Sequence, residues 1–226
     1  MDSELLYVHS TINAGKTLNL LATAYNFEEK GIHFVCLKPS IDTRDGVGVI
    51  HSRIGIEREC VSVPPTMNVY ALVEEMKQND KDLKKVMVDE CQFLTEAQVD
   101  QLGRITDELD IDVMCYGLRT DFLTEAFEGS RRLFEIADTI EEVKSLCSCG
   151  RKAIINARFD SEGYLVLSGD KVMIGGENIY RPLCRRCYEK EADKTLNRNV
   201  LDLFKELGAL EDEEEASEIK DKITKD

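Results

Sequence analysis

The chain lacks any run approaching the roughly 20 consecutive apolar residues of a membrane-spanning helix. Its opening residues, MDSELLYVHS, have neither the basic start nor the apolar core of a secretory leader. Residence in the cytoplasm, with no membrane partner, is therefore the expectation. Positive charge is also scarce: 29 Lys and Arg stand against 44 Asp and Glu, for a net charge of −15. That balance argues against a protein whose main affinity comes from neutralising phosphates along a nucleic acid, and still allows a small anion in a local pocket. No internal repeat is visible. With 226 residues, 42% of them hydrophobic, there is enough apolar side chain for a buried core, which excludes a disordered regulator.

Glu4 to Val8 is a short apolar run that reads as a strand. Lys16 to about Lys30 carries Leu20, Leu21, Ala24 and Phe27 at helical spacing, with Gly31 placed to end it, and Ile32 to Leu37 is a β-branched and aromatic run closed by Pro39. Strand, loop, helix and strand make a βαβ unit. Residues 42–55, rich in Gly, Asp and Arg and without a period, read as a functional or mobile loop. A helical pattern returns over Val69 to Lys77, and Val86 to Val88 reads as a buried parallel strand. Thr95 with Gln98 forms a capping box opening a helix towards Leu109, and Ile111 to Tyr116 reads as a further strand. The alternation predicts an α/β domain over residues 1–143, a mostly parallel sheet with helices on both faces. Over residues 144–192 come short β-like runs, Ala153 to Phe159, Tyr164 to Leu167 and Lys171 to Ile174, which predict a smaller β-rich domain. Residues 193–226, with Glu211 to Glu215, read as an acidic, helical and partly disordered tail.

Between the first strand and the first helix lies Ser10-Thr11-Ile12-Asn13-Ala14-Gly15-Lys16-Thr17, which matches the phosphate-loop pattern G-x-x-x-x-G-K-[ST] at every defined position but the first. Backbone N–H groups at a helix N-terminus point into one concavity and hold phosphate oxygens, and a glycine lets the backbone approach closely. Lys16 offers a point charge to the β/γ-phosphates and the Thr17 hydroxyl can ligate Mg²⁺. Ser10 places a Cβ where the pattern has glycine, a residue less tolerant of positive φ. Further on, Val86-Met87-Val88-Asp89-Glu90 ends a buried strand in two carboxylates, where a P-loop sheet presents its metal-associated acid. Asp89 suits the Mg²⁺ shell and Glu90 can take a proton from an attacking hydroxyl. Spacing leaves the acceptor open: water would make an NTPase, an alcohol a kinase.

Eight cysteines in a reducing compartment stay free or bind metal. Cys36, Cys60, Cys91 and Cys115 are singly placed, mostly in apolar runs, and read as small buried hydrophobes. Cys147-x-Cys149 and Cys184-x-x-Cys187 provide four thiolates in two tight turns, the donor set of a closed, structural Zn²⁺ site. Such a clip would tie down the segment between the pairs, with residues 171–176 and Tyr180, as a lid over a substrate.

Taken together these residues resemble the thymidine kinases of the small, zinc-containing type, and among them the bacterial branch, in which Ser opens the P-loop. The marks are S-x-x-N-A-G-K-T at Ser10 to Thr17, Asp89-Glu90-Cys91-Gln92-Phe93, Tyr116-Gly117-Leu118-Arg119-Thr120-Asp121-Phe122, Cys147-x-Cys149-Gly150, Ile174-Gly175-Gly176 with Tyr180, and Cys184-x-x-Cys187. The resemblance implies a P-loop (RecA-like) fold with a small β-rich zinc-binding domain that carries a lasso-like loop. It implies transfer of the γ-phosphoryl of ATP to the 5′-hydroxyl of thymidine, giving thymidine monophosphate for DNA synthesis. On that resemblance Glu90 is the general base. His9, the loop from Ser10 to Thr17, Asp42, Arg44, Asp89 and Gln92 are ATP and Mg²⁺ residues. Leu118 and Phe122 match the pocket that packs the thymine, while Lys171, Val172, Met173, Ile174 and Gly175 with Tyr180 match the loop whose main chain holds base and sugar. A homotetramer inhibited by thymidine triphosphate (dTTP) is implied as well.

Two other readings compete. Asp89-Glu90-Cys91-Gln92 also resembles the D-E-x-x box of helicases, which would make a nucleic-acid-dependent ATPase; the negative charge and the short chain oppose it. A zinc-ribbon interaction module with a vestigial nucleotide site is opposed by the intact Lys16, Thr17, Asp89 and Glu90.

Overall fold

The opening pattern is realised as β1 (Leu5–Ser10), α1 (Lys16–Glu29) and β2 (His33–Pro39) in a computed structural model that describes residues 3–42, 46–170 and 179–206. There follow a hairpin of β3 (Val49–His51) and β4 (Glu57–Glu59), then β5 (Val61–Val63), α2 (Val69–Asn79) and β6 (Leu83–Val88). After a 3₁₀ turn at Cys91–Phe93 come α3 (Glu96–Leu109), β7 (Asp112–Leu118), α4 (Glu128–Ile136) and β8 (Thr139–Glu142). Six strands pair in the order β5-β2-β6-β7-β1-β8, each with its neighbours in parallel.

Successive strand residues point to opposite faces, and these strands are apolar on both. Leu5, Tyr7, Val86, Val88, Val113 and Cys115 face one side and pack with Val73, Val99, Leu102 and Leu133 of α2, α3 and α4. Leu6, Val8, Met87 and Tyr116 face the other and pack with Leu20, Leu21 and Ala24 of α1. Two separate cores thus hold one sheet between helices, and truncating a central member such as Leu102 to Ala would cost about 2–5 kcal/mol. The capping box at α3 is formed: Gln98 N donates to Thr95 Oγ1 and Thr95 N to Gln98 Oε1, both at 3.2 Å. Gln98 also donates to the carbonyls of Pro64 and Met67, tying α3 to the loop before α2.

The region expected as a loop over residues 42–55 contains one arm of the β3–β4 hairpin instead. Its strands are three residues long, with Ile50 the member of β3 that enters the core beside Leu20 and Met87, too short a segment for any period to show. Beyond β8 a smaller unit pairs β9 (Ile155–Phe159) antiparallel with β10 (Ile179–Leu183) and packs Ala157, Phe159, Leu165 and Leu183 around Cys147 and Cys184. Tyr164 to Leu167 is not a strand: it makes one isolated bridge, Phe159 to Leu165, and the Leu165 N–H is taken by the Thr195 hydroxyl at 3.0 Å. The strand expected at Lys171 to Ile174 lies outside the described residues. Thr195 belongs to α5 (Arg185–Glu206), which runs unbroken through residues 192 and 193. Among the described residues no helix is long and apolar enough to cross a membrane.

Candidate active site

The phosphate loop connects β1 to α1 across the C-terminal edge of the sheet. Gly15, the last residue before α1, has φ 85°, a left-handed conformation that costs a residue with a Cβ about 1–2 kcal/mol. Gly15 has no side chain to cap α1, and the helix N-terminus it opens is the kind of site that favours an anion. Lys16 curls into the loop, its Nζ donating to Ser10 Oγ at 2.8 Å and to the Thr11 carbonyl at 3.2 Å. Ser10, the departure from the usual pattern, therefore supplies the oxygen that parks the lysine. A cavity of about 550 Å³ opens over the loop, lined by residues 12–18, residues 51–54 of the hairpin, Asp89, Glu90 and Leu118.

Asp89 continues the β6 ladder, its N–H donating to the Leu37 carbonyl at 3.0 Å. Only 3% of it is exposed. Its Oδ2 accepts from Thr17 Oγ1 at 3.4 Å, and its Oδ1 has no hydrogen-bond partner among the described residues. Burial first, and then the charge of Glu90, push the Asp89 carboxyl up to about 7 against the pull of Lys16 and Lys38. A buried carboxylate oxygen without a donor, beside a hydroxyl, fits a hard divalent cation, so these residues suit Mg²⁺.

Glu90 takes φ 50° and ψ 38°, a left-handed conformation uncommon for glutamate, and so turns the chain from β6 into the 3₁₀ segment. Gln92 is buried and serves two partners: its Nε2 donates to Glu90 Oε2, and its Oε1 accepts from Leu118 N at 3.0 Å. The glutamate is thereby fixed to the end of β7. This needs room, which Gly117 provides: a Cβ there would lie 2.6 Å from Cys91 Sγ and 2.7 Å from Gln92 Oε1. At Gly129, in the first turn of α4, a Cβ would stand 2.7 Å from the Cys91 and Leu94 carbonyls, so both glycines close on the turn that carries Glu90.

The four paired cysteines converge, their Sγ atoms all within 4.8 Å of one another. Cys149 and Cys184 are 3.6 Å apart, close to the ~3.8 Å edge of a tetrahedron with Zn–S bonds of about 2.3 Å. Backbone bonds from Gly150 N to Cys147 O and from Cys187 N to Cys184 O shape the two turns. Four soft donors on rigid turns fit a closed zinc site. From β9, Asn156 accepts from Ile12 N and donates to the Thr120 carbonyl, both at 2.7 Å, which straps the cysteine unit to the phosphate loop.

Leu118 lines the cavity. Phe122 is buried under the Arg158 guanidinium, 3.6 Å from its ring centre, and Arg158 donates to the Ser168 and Asp170 carbonyls. Tyr180, half-buried on β10, stands opposite Arg158 in the β9 register. His9 lies away from the cavity, 5.1 Å from the Phe134 ring, and burial lowers its pKa. Asp42 is buried in an ion pair with Lys38 at 3.2 Å, and Lys38 also donates to the Val49 carbonyl. Arg44 and Lys171 to Gly175 lie outside the described residues. Sequence reasoning missed Lys38, Asn156 and the hairpin tip. Two of these left a signal: a lysine closing an apolar strand and an asparagine interrupting another are unexpected in buried positions unless something there requires them.

Fold and site together define a P-loop nucleotide-binding protein with an appended four-cysteine unit. The sequence model of the family described as thymidine kinase matches residues 3–188. Similar curated proteins include a thymidine kinase of Legionella pneumophila (strain Paris), 43% identical over 200 residues that cover 88% of this chain and 96% of that one. A thymidine kinase of Enterobacteria phage T4 is 43% identical over 192 residues, covering 85% and 98%, and one of Rhodopirellula baltica is 46% identical over 183 residues, covering 81% and 86%. Among solved structures, a Pif1 helicase of Candida albicans is similar over 64% of this chain and 37% of its own with a TM-score of 0.36 and 13% identity, a likeness too weak to bear on the fold. The chain belongs to the thymidine kinase family, whose members transfer the γ-phosphoryl group of ATP to thymidine.

Proposed function

We propose that this protein phosphorylates the 5′-hydroxyl of thymidine with ATP, Glu90 acting as the general base. The observation that carries this reading is the convergence of Lys16, Thr17, Asp89 and Glu90 on one cavity, with Leu118 on its wall. In this reading the N–H groups of the loop from Asn13 to Thr17 hold the phosphates while that of Ile12 anchors the loop to Asn156, Lys16 leaves Ser10 to follow the transferring group, and Gln92 keeps the Glu90 carboxylate aimed at the hydroxyl. Thr17 and Asp89 would hold Mg²⁺, which when bound supplies positive charge against the phosphates. Phe122 and Leu118 flank the thymine and Tyr180 with residues 171–175 covers the nucleoside; Asp42, in its pair with Lys38, shapes the wall beside Asp89, and Arg44 serves the phosphates. His9 supports the base of the loop from below.

The cysteine cluster would hold a structural Zn²⁺, and with Asn156 it positions residues 144–192 as a domain distinct from the kinase domain at 1–143 and the tail at 193–226. We further propose a cytoplasmic homotetramer that is inhibited by dTTP, whose base and sugar fit where thymidine binds, and that needs no nucleic acid partner. ADP release from Mg²⁺-ATP, with and without thymidine, on the wild type and on Glu90→Gln, tests the reading. Strong stimulation by thymidine that the variant loses while still binding ATP is the expected result. Equal release without thymidine would make water the acceptor, and no release at all would leave a binding module.

A further inference from the structure

We propose that Arg53, at the tip of the β3–β4 hairpin, is a phosphate-binding residue of the kinase reaction: a further cation for the ATP triphosphate, beside Lys16 on the cavity wall. The inference rests on ATP occupying the cavity over the phosphate loop. The cavity is lined by the acidic Asp89 and Glu90 and by the basic Lys16 and Arg53. A polyanion entering a chain of net charge −15 needs local positive charge, and on the described cavity wall Lys16 faces two carboxylates and would face three phosphate groups. Arg53 is exposed, and no hydrogen bond or ion pair holds it among the described residues. A guanidinium presents a planar fork that pairs with two phosphate oxygens at once, a geometry lysine lacks.

The hairpin is built to keep that fork in place. Ile50 is fully buried in the core beside Leu20 and Met87 and anchors β3. Ser52 is buried as well: its N–H and hydroxyl donate to the Ile56 carbonyl at 2.8 and 3.0 Å, and Ile56 N donates back to its Oγ at 3.2 Å. The turn closes through Gly55 N to the Ser52 carbonyl at 2.9 Å. From β4, Arg58 makes a two-pronged bond to Glu28 of α1 at 2.6 and 2.8 Å and lies over the Phe34 ring, so the second strand is fastened to the helix that starts at the phosphate loop. Arg58 thus has structural partners, whereas Arg53, five residues away on the same hairpin, lines the cavity with none among the described residues. A surface arginine that merely keeps the protein soluble would have no need of a turn with a buried serine beneath it.

The test compares Arg53→Ala and Arg53→Lys with the wild type in thymidine phosphorylation and in binding of ATP, adenosine and thymidine. Arg53→Ala should lose about 10- to 100-fold in kcat/KM for Mg²⁺-ATP, the effect of one charge-assisted bond, with Arg53→Lys intermediate. Its affinity for adenosine and for thymidine and its Tm should stay at the wild-type values, and added guanidinium ion should restore part of the lost rate. A loss shared equally by ATP and adenosine would assign Arg53 to hairpin structure, and unchanged ATP kinetics would remove it from the site; either overturns the proposal. A wild-type protein that fails to bind ATP would overturn both this inference and the reading beneath it, whereas wild-type turnover with an indifferent Arg53→Ala overturns this inference alone.

Discussion

Replacing Gly117 by alanine should damage the reaction more than the fold. The added Cβ would stand 2.6 Å from Cys91 Sγ and 2.7 Å from Gln92 Oε1, whereas unstrained carbon contacts begin at about 3.5 Å, so the turn after β6 must retreat by somewhat less than about 1 Å. Overpacking of this kind costs about 1–3 kcal/mol, which in a chain of this size lowers Tm by several degrees. The kinetic effect is larger because the displaced group is Gln92, whose Nε2 holds Glu90 and whose Oε1 holds the N–H of Leu118. A displacement near 1 Å at a reacting group costs about 100-fold. We therefore expect kcat to fall about 100-fold with KM for ATP little changed, since the phosphate loop hangs on β1 and not on this turn. Gln92→Ala should give the same kinetic defect without overpacking, and the double variant should be no worse than either single one. Steady-state kinetics with calorimetric Tm values on the three variants decides the matter. Wild-type kcat in Gly117→Ala, or additive losses in the double variant, would refute the idea that Glu90 is positioned through Gln92.

Asn156→Ala removes the partner of the half-buried Ile12 N–H and Thr120 carbonyl, each bond worth about 0.5–1.5 kcal/mol, so thermal melting should drop and KM for ATP should rise; an unchanged Tm would show that the strap carries no stability. Cys184→Ser should lose bound zinc, read by metal analysis, and weaken thymidine binding in titration calorimetry, and thymidine affinity unchanged on zinc loss would end the lid role of the cysteine unit. His33, at the start of β2, accepts a proton more readily than a free histidine because Asp80 hydrogen-bonds its ring at 2.8 Å. Its folded pKa lies above the ordinary 6.5, so the pair's stabilisation is complete below that value and is lost as pH rises through the folded one. His33→Asn should accordingly lower Tm in mildly acidic buffer and leave it unaltered in alkaline buffer; a pH-independent difference would remove the ion pair as its cause.

The parts of this protein that show in its sequence are those whose chemistry is local. A phosphate loop is eight consecutive residues, a capping box is four, and each pair of zinc ligands spans one turn, so Ser10 to Thr17, Thr95 with Gln98, and Cys147, Cys149, Cys184 and Cys187 are readable without knowing what they touch. The central strands are legible for a related reason, since burial on both faces makes Val86 to Val88 and Ile111 to Tyr116 continuously apolar. The β3–β4 hairpin was hidden because its strands are three residues long and its anchor is a single side chain, Ile50. Asn156 and Lys38 were hidden because their partners are remote: Asn156 meets Ile12 across 144 positions, and Lys38 gains its meaning from Asp89 at the end of the adjacent strand. The two cramped glycines look like ordinary members of a strand and a helix until the turn between them is in place.

Strand order explains why the site needs these remote supports. The phosphate loop follows β1 and the acidic pair follows β6, yet β7 lies between those strands in the sheet. With neighbouring strands about 4.8 Å apart, a carboxylate at the end of β6 is about 10 Å from the axis of β1 and cannot meet the loop by simple adjacency. The gap is closed from both sides. Thr17, in the first turn of α1, reaches towards β6 and meets Asp89 at 3.4 Å. From the other side the left-handed turn at Glu90 sends Cys91 and Gln92 over the end of β7, which can pass beneath only because residue 117 has no side chain. Leu118, the last residue of β7, gives its N–H to Gln92 beyond the point where the ladder to β6 ends at Val88 and Cys115, so the intervening strand becomes the platform on which the glutamate rests. A wider residue at position 117 or a shorter one at position 92 breaks the same bridge, and the metal-binding acid, still tied to Leu37 through its own backbone, would stay behind while the base moved.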